Sequence, residues 1–359
     1  MIKSAYIHIP FCKNICSYCD FCKVIYNEKW VDDYLISLEN EIKINYKGEI
    51  LNTLYIGGGT PSSLSVSQLK KLFSIINIFK LNNSFEFTIE CNIEDITKEK
   101  LNLFKKNKVN RLSIGLESLN DKYLKYLNRT YKSDIIREKI ILAKSYFNNI
   151  NVDLIYAIDG QTLNELDEDL NKIIDLDVNH ISCYSLMIED NTILKCNNVK
   201  QIDDELDFKM YKLIDKKLKG KYNHYEISNY SKKGFESKAN LTYWHNEEYY
   251  GFGLSASGYI NNIRYTNTKN LSKYLNNDFK REEEILTVDD EMKYDMILNL
   301  RLKEGINIYK FNNKYGLDIL KMKNIQDLIK KGYLKKNTYN IKINKKYLYV
   351  SNDILVNLI

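Results

Sequence analysis

The stretch YIHIPFCKNICSYCDFC, Tyr6–Cys22, joins a β-branched and aromatic run to a loop crowded with cysteine. It sets Cys12-x3-Cys16-x2-Cys19, with Cys22 after a further gap of two. Gaps of three and two let a single loop wrap three corners of an iron–sulfur cube, and thiolates are the ligands such clusters take. Phe11, Tyr18 and Phe21 lie between or beside these positions, where apolar rings would shield the group from water. Two alternatives stay open on the residues alone. With Cys22 the loop could be a four-thiolate zinc site, or it could hold a fully ligated electron-transfer cluster. Structural zinc loops usually draw their cysteine pairs from separate segments, and ferredoxin spacing is C-x2-C-x2-C. Three protein ligands would leave one iron free to chelate a substrate.

Outward from this loop, the first half of the chain repeats one pattern of short apolar run, turn and apolar-periodic stretch. The strand candidates are SAYIHI from Ser4, TLYIGG from Thr53, FEFTIE from Phe85, RLSIGL from Arg111, NVDLIYAI from Asn151 and HISCYSL from His180. They have the continuous apolar character of strands buried on both faces, as in parallel sheets. Between them, Val31, Tyr34, Leu35, Leu38 and Ile42 fall on one helical face. Thr162 and Glu165 have the spacing of a capping box. Strands alternating with helices predict a parallel sheet with right-handed crossovers. Unusual residues follow several strands directly: the cysteine loop, GGGTP, Glu90 and Glu117. In a barrel such ends converge on one mouth, whereas an open sheet offers only its switch point. The expectation is therefore a partial (β/α)6 TIM-like barrel over residues 1–220. An aromatic- and Asn-rich extension follows at 221–284. A small α+β domain is expected at 285–359, with helices and then a hairpin in YNIKINKKYLYVS.

Composition excludes several classes. The chain has 359 residues, 44% of them hydrophobic and 28% charged, which suits a large soluble core. Its net charge of +6 comes from dispersed Lys rather than a basic block, so nucleic acid is not an expected partner. The N-terminal MIKSAYIHIP is not a signal peptide, and no apolar run reaches the ~18 residues of a membrane span. Four of the seven cysteines fall within residues 12–22, which reads as metal ligation in a reducing cytosol. The expected location is cytoplasmic, with peripheral membrane association left open.

C-x3-C-x2-C at the end of a first strand resembles the signature of the radical-SAM superfamily. The longer string YIHIPFCxxxCxYCDF is similar to one branch, the oxygen-independent coproporphyrinogen III oxidases and the HemW-type heme chaperones. The likeness continues in order through YIGGGTPS (Tyr55–Ser62), ECN (Glu90–Asn92), NRLSIGLES (Asn110–Ser118) and LNRT (Leu127–Thr130). It then takes in VDLIYAIDGQT (Val152–Thr162), ISCYSLMIE (Ile181–Glu189), YEISNY (Tyr225–Tyr230), NLTYW (Asn240–Trp244) and LRLKEGI (Leu300–Ile306). The resemblance implies a radical-SAM barrel whose 4Fe–4S cluster is held by Cys12, Cys16 and Cys19, with S-adenosylmethionine on the open iron.

The resemblance also implies roles position by position. Tyr6 would lie against the SAM carboxylate, and Gly58, Gly59 and Thr60 would meet its amino group, where glycine lets backbone come close. Glu90 would accept from the amino end, and Arg129 would pair with the carboxylate as a planar fork. Asp153 would hold the ribose hydroxyls, with Ser185 near the adenine or ribose. Glu117 stands where the family usually has Gln; it can accept from a ribose hydroxyl but cannot donate. The implied chemistry is reductive cleavage of SAM to a 5′-deoxyadenosyl radical, fed by an electron donor such as flavodoxin or ferredoxin.

Three functions fit this resemblance. One is a heme chaperone delivering heme to respiratory proteins. The second is a decarboxylating coproporphyrinogen oxidase, and the third is a radical-SAM enzyme with an unrelated substrate. The oxidases carry an N-terminal extension and a further cysteine one residue past the third ligand. This chain starts five residues before Tyr6 and has Phe21 at that cysteine position. CDF, YEISNY and NLTYW match the chaperone side. The chaperones, however, have His-Asn-x-x-Tyr-Trp, with that His as the presumed heme ligand, and here the position is Ala239. Alanine cannot coordinate iron. His245, Cys22, His224 and Cys183 are the other candidate axial ligands, and the loop GFGLSASGY lacks the histidine that relatives often have there.

Overall fold

Alternation of side chains decides the architecture of this computed structural model, which describes residues 2–358. Six strands form the central run: β1 (Ser4–Ile9), β2 (Ile50–Gly58), β3 (Lys80–Asn92), β4 (Arg111–Glu117), β5 (Ile150–Tyr156) and β6 (His180–Ser185). Helices follow them: α1 (Glu28–Asn45), α2 (Val66–Ile76), α3 (Lys98–Lys106), α4 (Asp121–Tyr126), α5 (Ile136–Lys144), α6 (Leu163–Leu176) and α7 (Asp204–Leu218). Neighbouring strands β1 to β6 are all parallel and in sequence order. Consecutive parallel strands require a crossover helix each time, which is what the chain supplies.

The strands are buried on both faces, yet the two faces differ. Ile7, Ile56, Ile89, Ile114, Val152 and Ile181 join the helices in one apolar cluster. The alternate positions Tyr55, Glu90, Arg111, Ser113, Asp153 and Ser182 line an interior cavity instead. A period of two therefore runs through stretches whose composition reads as uniformly apolar. Helix ends are fixed locally. The Asn27 side chain accepts from the N–H of Trp30, and Ser65–Gln68 and Thr162–Glu165 form capping boxes.

Later segments extend the sheet at both edges. β7 (Asn223–His224) and β8 (Asn229–Ser231) add antiparallel strands beyond β6, and β9 (Tyr250–Phe252) adds a parallel strand beside β1. The full order is β9-β1-β2-β3-β4-β5-β6-β8-β7, so the sheet is a partial barrel without a closing pair. The apolar cluster around it runs from Ile2 to Tyr274, and the boundary expected near residue 220 falls inside that cluster.

Between β8 and β9 lies α8 (Lys238–Trp244). A small antiparallel sheet follows, made of β10 (Ser257–Ile260), β11 (Ile263–Asn267) and β12 (Arg281–Ile285). After α9 (Val288–Asn299), a second apolar cluster spans Met296 to Leu358. It contains β13 (Ile306–Asn307), β14 (Leu334–Lys336) and β15 (Asn340–Ile343), with β15 central and antiparallel to both others. The hairpin expected within YNIKINKKYLYVS is not formed there. Asn344 donates from its side chain to the Gly332 carbonyl and from its backbone to Tyr333. That ends β15, and the chain turns into a short 3-10 helix at Lys345–Tyr347 and a helix at Ser351–Leu355. The hairpin instead joins β14 to β15. No helix among the described residues is long and apolar enough to cross a membrane.

Candidate functional site

Pro10 ends β1, and the next residues turn back on themselves. Phe11 and Cys12 pair in parallel with Val24 and Ile25, so residues 13–23 leave and return at one point. The loop is strapped to the turn after α4. Ser17 N–H donates to the Leu127 carbonyl at 3.1 Å and Ser17 Oγ to that of Tyr126 at 2.9 Å. Asn128 Nδ2 donates to the Ile15 carbonyl at 2.7 Å. Lys23 Nζ donates inward to the carbonyls of Cys19 and Phe21.

This geometry turns Cys12, Cys16 and Cys19 into one cavity of about 140 Å³. The opposite wall is Gly58, Gly59, Thr60, Glu90 and Arg129, and Glu117 and Asp153 close it. All three thiols are free. Burial pushes Cys19 up to about 11 and also raises Cys12, so deprotonation needs a strong positive partner. Among the described residues no three His, Cys, Asp or Glu side chains converge on a point where one ion could sit. Cys12, Cys16 and Cys19 line one cavity together, and a cube offers each thiolate its own iron. Cys22 lines neither this cavity nor its neighbour. Its carbonyl lies 2.8 Å from His8 Nε2, and its thiol bonds to the Ser255 side chain.

The glycines serve the protein's own packing as much as an incoming ligand. Gly58 has φ +117°, and a Cβ there would meet the His8 ring at 2.6 Å. A Cβ on Gly59 would lie 2.7 Å from the Pro10 carbonyl. Thr60 Oγ1 points at Cys12 Sγ at 3.5 Å. Glu90 is held from two sides, Oε1 accepting from Tyr55 at 2.8 Å and Oε2 from the Gly58 N–H at 2.9 Å. Burial nevertheless pushes Glu90 up to about 7.

Arg129 links the thiols to the acids. Nη1 donates to Cys16 Sγ at 3.3 Å and lies 3.8 Å from Glu117 Oε1. Nη2 donates to Asn92 Oδ1 at 3.0 Å and to the Gly115 carbonyl at 3.1 Å. Glu117 adopts φ 61°, and its carboxylate lies beside the arginine. Burial pushes it up to about 7 despite that partner. Asp153 accepts from Asn151 Nδ2 at 2.8 Å, and burial raises it as well.

Two expected residues are not brought to the thiol cavity. Tyr6 lines neither cavity, and its hydroxyl lies 2.9 Å from His8 Nδ1. Burial keeps His8 neutral; Nε2 donates to Cys22, so Nδ1 accepts from Tyr6. Ser185 lines only the second cavity, and its Oγ donates to Asp207 at 2.7 Å.

That second cavity, about 370 Å³, adjoins the first through Tyr18, Cys19, Phe21, Glu90, Ser113, Glu117 and Asp153, which line both. Sequence reasoning missed one of its residues, Arg111. The signal was present, since a charge inside an apolar strand is rarely buried without a partner. Asn240 lines this cavity, while Ala239 beside it is 1% exposed and packed over Glu86, which accepts from the Lys238 N–H at 2.9 Å. None of the other axial-ligand candidates lines either cavity. His245 lies 3.0 Å from Glu304 at a separate cleft, His224 is buried between Asp215 and the Ile227 carbonyl, and Cys183 is buried in the apolar cluster.

Comparison with known proteins places these features in context. The family model for the radical SAM superfamily matches residues 6–173. The chain is similar to the heme chaperone HemW of Lactococcus lactis subsp. lactis, 38% identical, with 98% of this chain and 96% of that protein covered. It is 37% identical to HemW of Bacillus subtilis, with 98% of each covered. Among solved structures it resembles coproporphyrinogen III oxidase (HemN) from Escherichia coli, described as a radical SAM enzyme. The TM-score is 0.88 at 22% identity, covering 99% of this chain and 90% of that one, which speaks for the fold alone.

Proposed function

Because the chain belongs to the radical-SAM superfamily and, within it, to the HemW family, we propose that it binds a 4Fe–4S cluster and SAM and acts in heme handling. The superfamily implies the cluster and SAM; the relatives' name, heme chaperone, supports heme as the further ligand. The single observation that supports the site is the shared cavity, where Cys12, Cys16 and Cys19 face Gly58–Thr60, Glu90 and Arg129. Cys12, Cys16 and Cys19 would hold three irons and leave the fourth for SAM. When bound, the reduced cluster supplies one electron for reductive cleavage of SAM.

The chain's own residues bind, orient and exclude water. Arg129 offers a fixed positive charge that a carboxylate can share, already oriented by Asn92 and Gly115. Glu90, held by Tyr55 and Gly58, offers a carboxylate to an ammonium, which would draw it to its charged form. Asp153 presents an acceptor to ribose hydroxyls, and Glu117 does the same while balancing Arg129. Ser185 is committed to Asp207 and would reach only the far end of the ligand. Tyr6 acts through His8, which ties the strand to the return of the cysteine loop. A redox protein such as flavodoxin or ferredoxin would supply the electron, and respiratory proteins would receive the heme.

The test is anaerobic reconstitution followed by assays on one sample. Iron and sulfide near four per chain, SAM cleavage by the wild type and its loss in Cys16→Ala are expected. Heme uptake without release of carbon dioxide from coproporphyrinogen separates the chaperone from the oxidase. Retained cleavage in Cys16→Ala, or turnover of coproporphyrinogen, would overturn the reading.

A further inference from the structure

The second apolar cluster, Met296 to Leu358, is wrapped in a surface of one sign. The chain holds 53 basic and 47 acidic residues, and residues 296–358 hold thirteen of the former and four of the latter. That surplus of nine exceeds the net charge of +6 on the whole chain, so the remainder is slightly acidic. A general excess of Lys does not account for it; what sets this unit apart is its want of acid. Glu304 faces His245 at 3.0 Å and Asp318 caps a 3-10 turn, and neither these nor Asp327 and Asp353 pair with a lysine among the described residues. The unit's lysine ion pairs, Lys314 to Asp295 and Lys345 to Asp215, use acids that lie outside it.

Along the chain these lysines look scattered, but the fold gathers six exposed ones on one hairpin and its flanks: Lys331, Lys335, Lys336, Lys342, Lys345 and Lys346. β14 and β15 set Lys335 directly opposite Lys342. Asn344, bonded to Gly332 and Tyr333, brings the chain at Lys345 and Lys346 back to Lys331. Like charges directly opposite on paired strands repel. Lysines on an edge strand can serve to discourage strand pairing, and Lys335 and Lys336 stand on such an edge. Lys342 does not; it belongs to the central strand of its sheet, where no edge needs guarding.

Anionic partners differ in what they ask of a surface. Nucleic acid is gripped chiefly by the planar fork of arginine. Every exposed cation of this unit is a lysine, and Arg301 is half-buried against Trp244. A lipid headgroup layer takes point charges together with amphipathic aromatic rings. Tyr339, in the turn of the same hairpin, is 73% exposed and Tyr309 is 74% exposed. The Ile308 N–H donates to the Tyr339 carbonyl at 2.8 Å, so the two rings leave from adjoining segments.

We propose that this hairpin and its flanks dock the protein on a bilayer surface rich in anionic phospholipid. The lysines supply the attraction, and Tyr309 and Tyr339 settle among the headgroups. The inference goes beyond the heme-handling reading and does not depend on it.

The probe is cosedimentation of the reconstituted protein with vesicles of phosphatidylcholine alone, or of phosphatidylcholine and phosphatidylglycerol in equal parts. Partition should favour the anionic vesicles at least tenfold and fall steeply as salt is raised. Each lysine near such a surface adds on the order of fivefold, so Lys335→Gln/Lys336→Gln/Lys342→Gln/Lys346→Gln should lose at least tenfold. A control of the same net charge on exposed barrel helices, Lys70→Gln/Lys98→Gln/Lys105→Gln/Lys106→Gln, should bind as wild type does. Equal partition onto both kinds of vesicle overturns the proposal, and that comparison needs no variant to fold. Undiminished binding by the hairpin variant also overturns it, as does an equal loss in the control, which would reduce the effect to net charge. Release of vesicle-bound protein by duplex DNA at equal phosphate concentration would give the surface to nucleic acid and overturn it too.

Discussion

Glu90 and Glu117 are carboxyls of the thiol cavity whose acid–base behaviour burial changes. Each is pushed from 4.5 up to about 7. In the unfolded chain both ionise near 4.5, while the folded chain keeps the proton to about 7. Folding therefore takes up protons between these values, and the stability due to the neutral forms is full below 4.5 and lost as pH rises through 7. The unfolding free energy of ligand-free wild type from urea titration, measured against Glu90→Gln/Glu117→Gln, should fall between pH 5 and 7.5, by on the order of 2–4 kcal/mol for each carboxyl. A constant difference would mean the two carboxyls are already charged in the folded protein. At this scale the sequence was informative where a motif lies at a strand end, as with Cys12, Gly58 and Glu90. It was least informative where one side chain is claimed by another, as Tyr6 is by His8 and Ser185 by Asp207.

The cysteine loop is an element with little core of its own, and its order depends on its straps. Asn128 supplies one through its amide and holds φ 58°, a backbone setting that tolerates Asn or Gly. Asn128→Gly keeps the backbone and removes the amide, at about 1 kcal/mol for the lost hydrogen bond. Iron retained per chain after anaerobic gel filtration should drop several-fold against wild type. Unchanged retention would show that the Ser17 contacts suffice. Among the larger elements, the capping box at Thr162 and the face of α1 were legible because local pattern alone specifies them. The inner faces of β1 to β6 were not. Polar residues such as Ser113, Asn151 and Ser182 are as buried as their apolar neighbours, and only the cavity they share reveals the alternation. The misplaced hairpin has a similar cause, since Asn344 stops β15 through contacts with residues ten or more positions away.

Over the whole molecule there are two main apolar clusters, one around the barrel and one from Met296 to Leu358. They meet through polar contacts such as Asn246 Nδ2 to Asp295 at 2.6 Å and Lys303 N–H to the Tyr225 carbonyl at 2.9 Å. Ile325 is wholly buried in the second cluster. Ile325→Ala should cost about 2–5 kcal/mol, and hydrogen exchange should quicken through residues 296–358 while β2 to β5 stay protected. Equal loss of protection in both would mean that the two clusters unfold as one. The parallel core was legible because six long strands announce it, whereas β7, β8 and β9 have only two or three residues each and depend wholly on partners elsewhere. Of these, β9 has a consequence in time. The first strand to be synthesised receives its outer neighbour from residues 250–252, and Gly253 then closes against the His8 carbonyl. At about 5–20 residues per second, the ribosome needs on the order of ten to fifty seconds to travel from one to the other. Until then the nascent strand behind the cysteines has a bare flank, so a thiol cavity whose lining is complete by Asp153 would rest during translation on a strand still open along one edge.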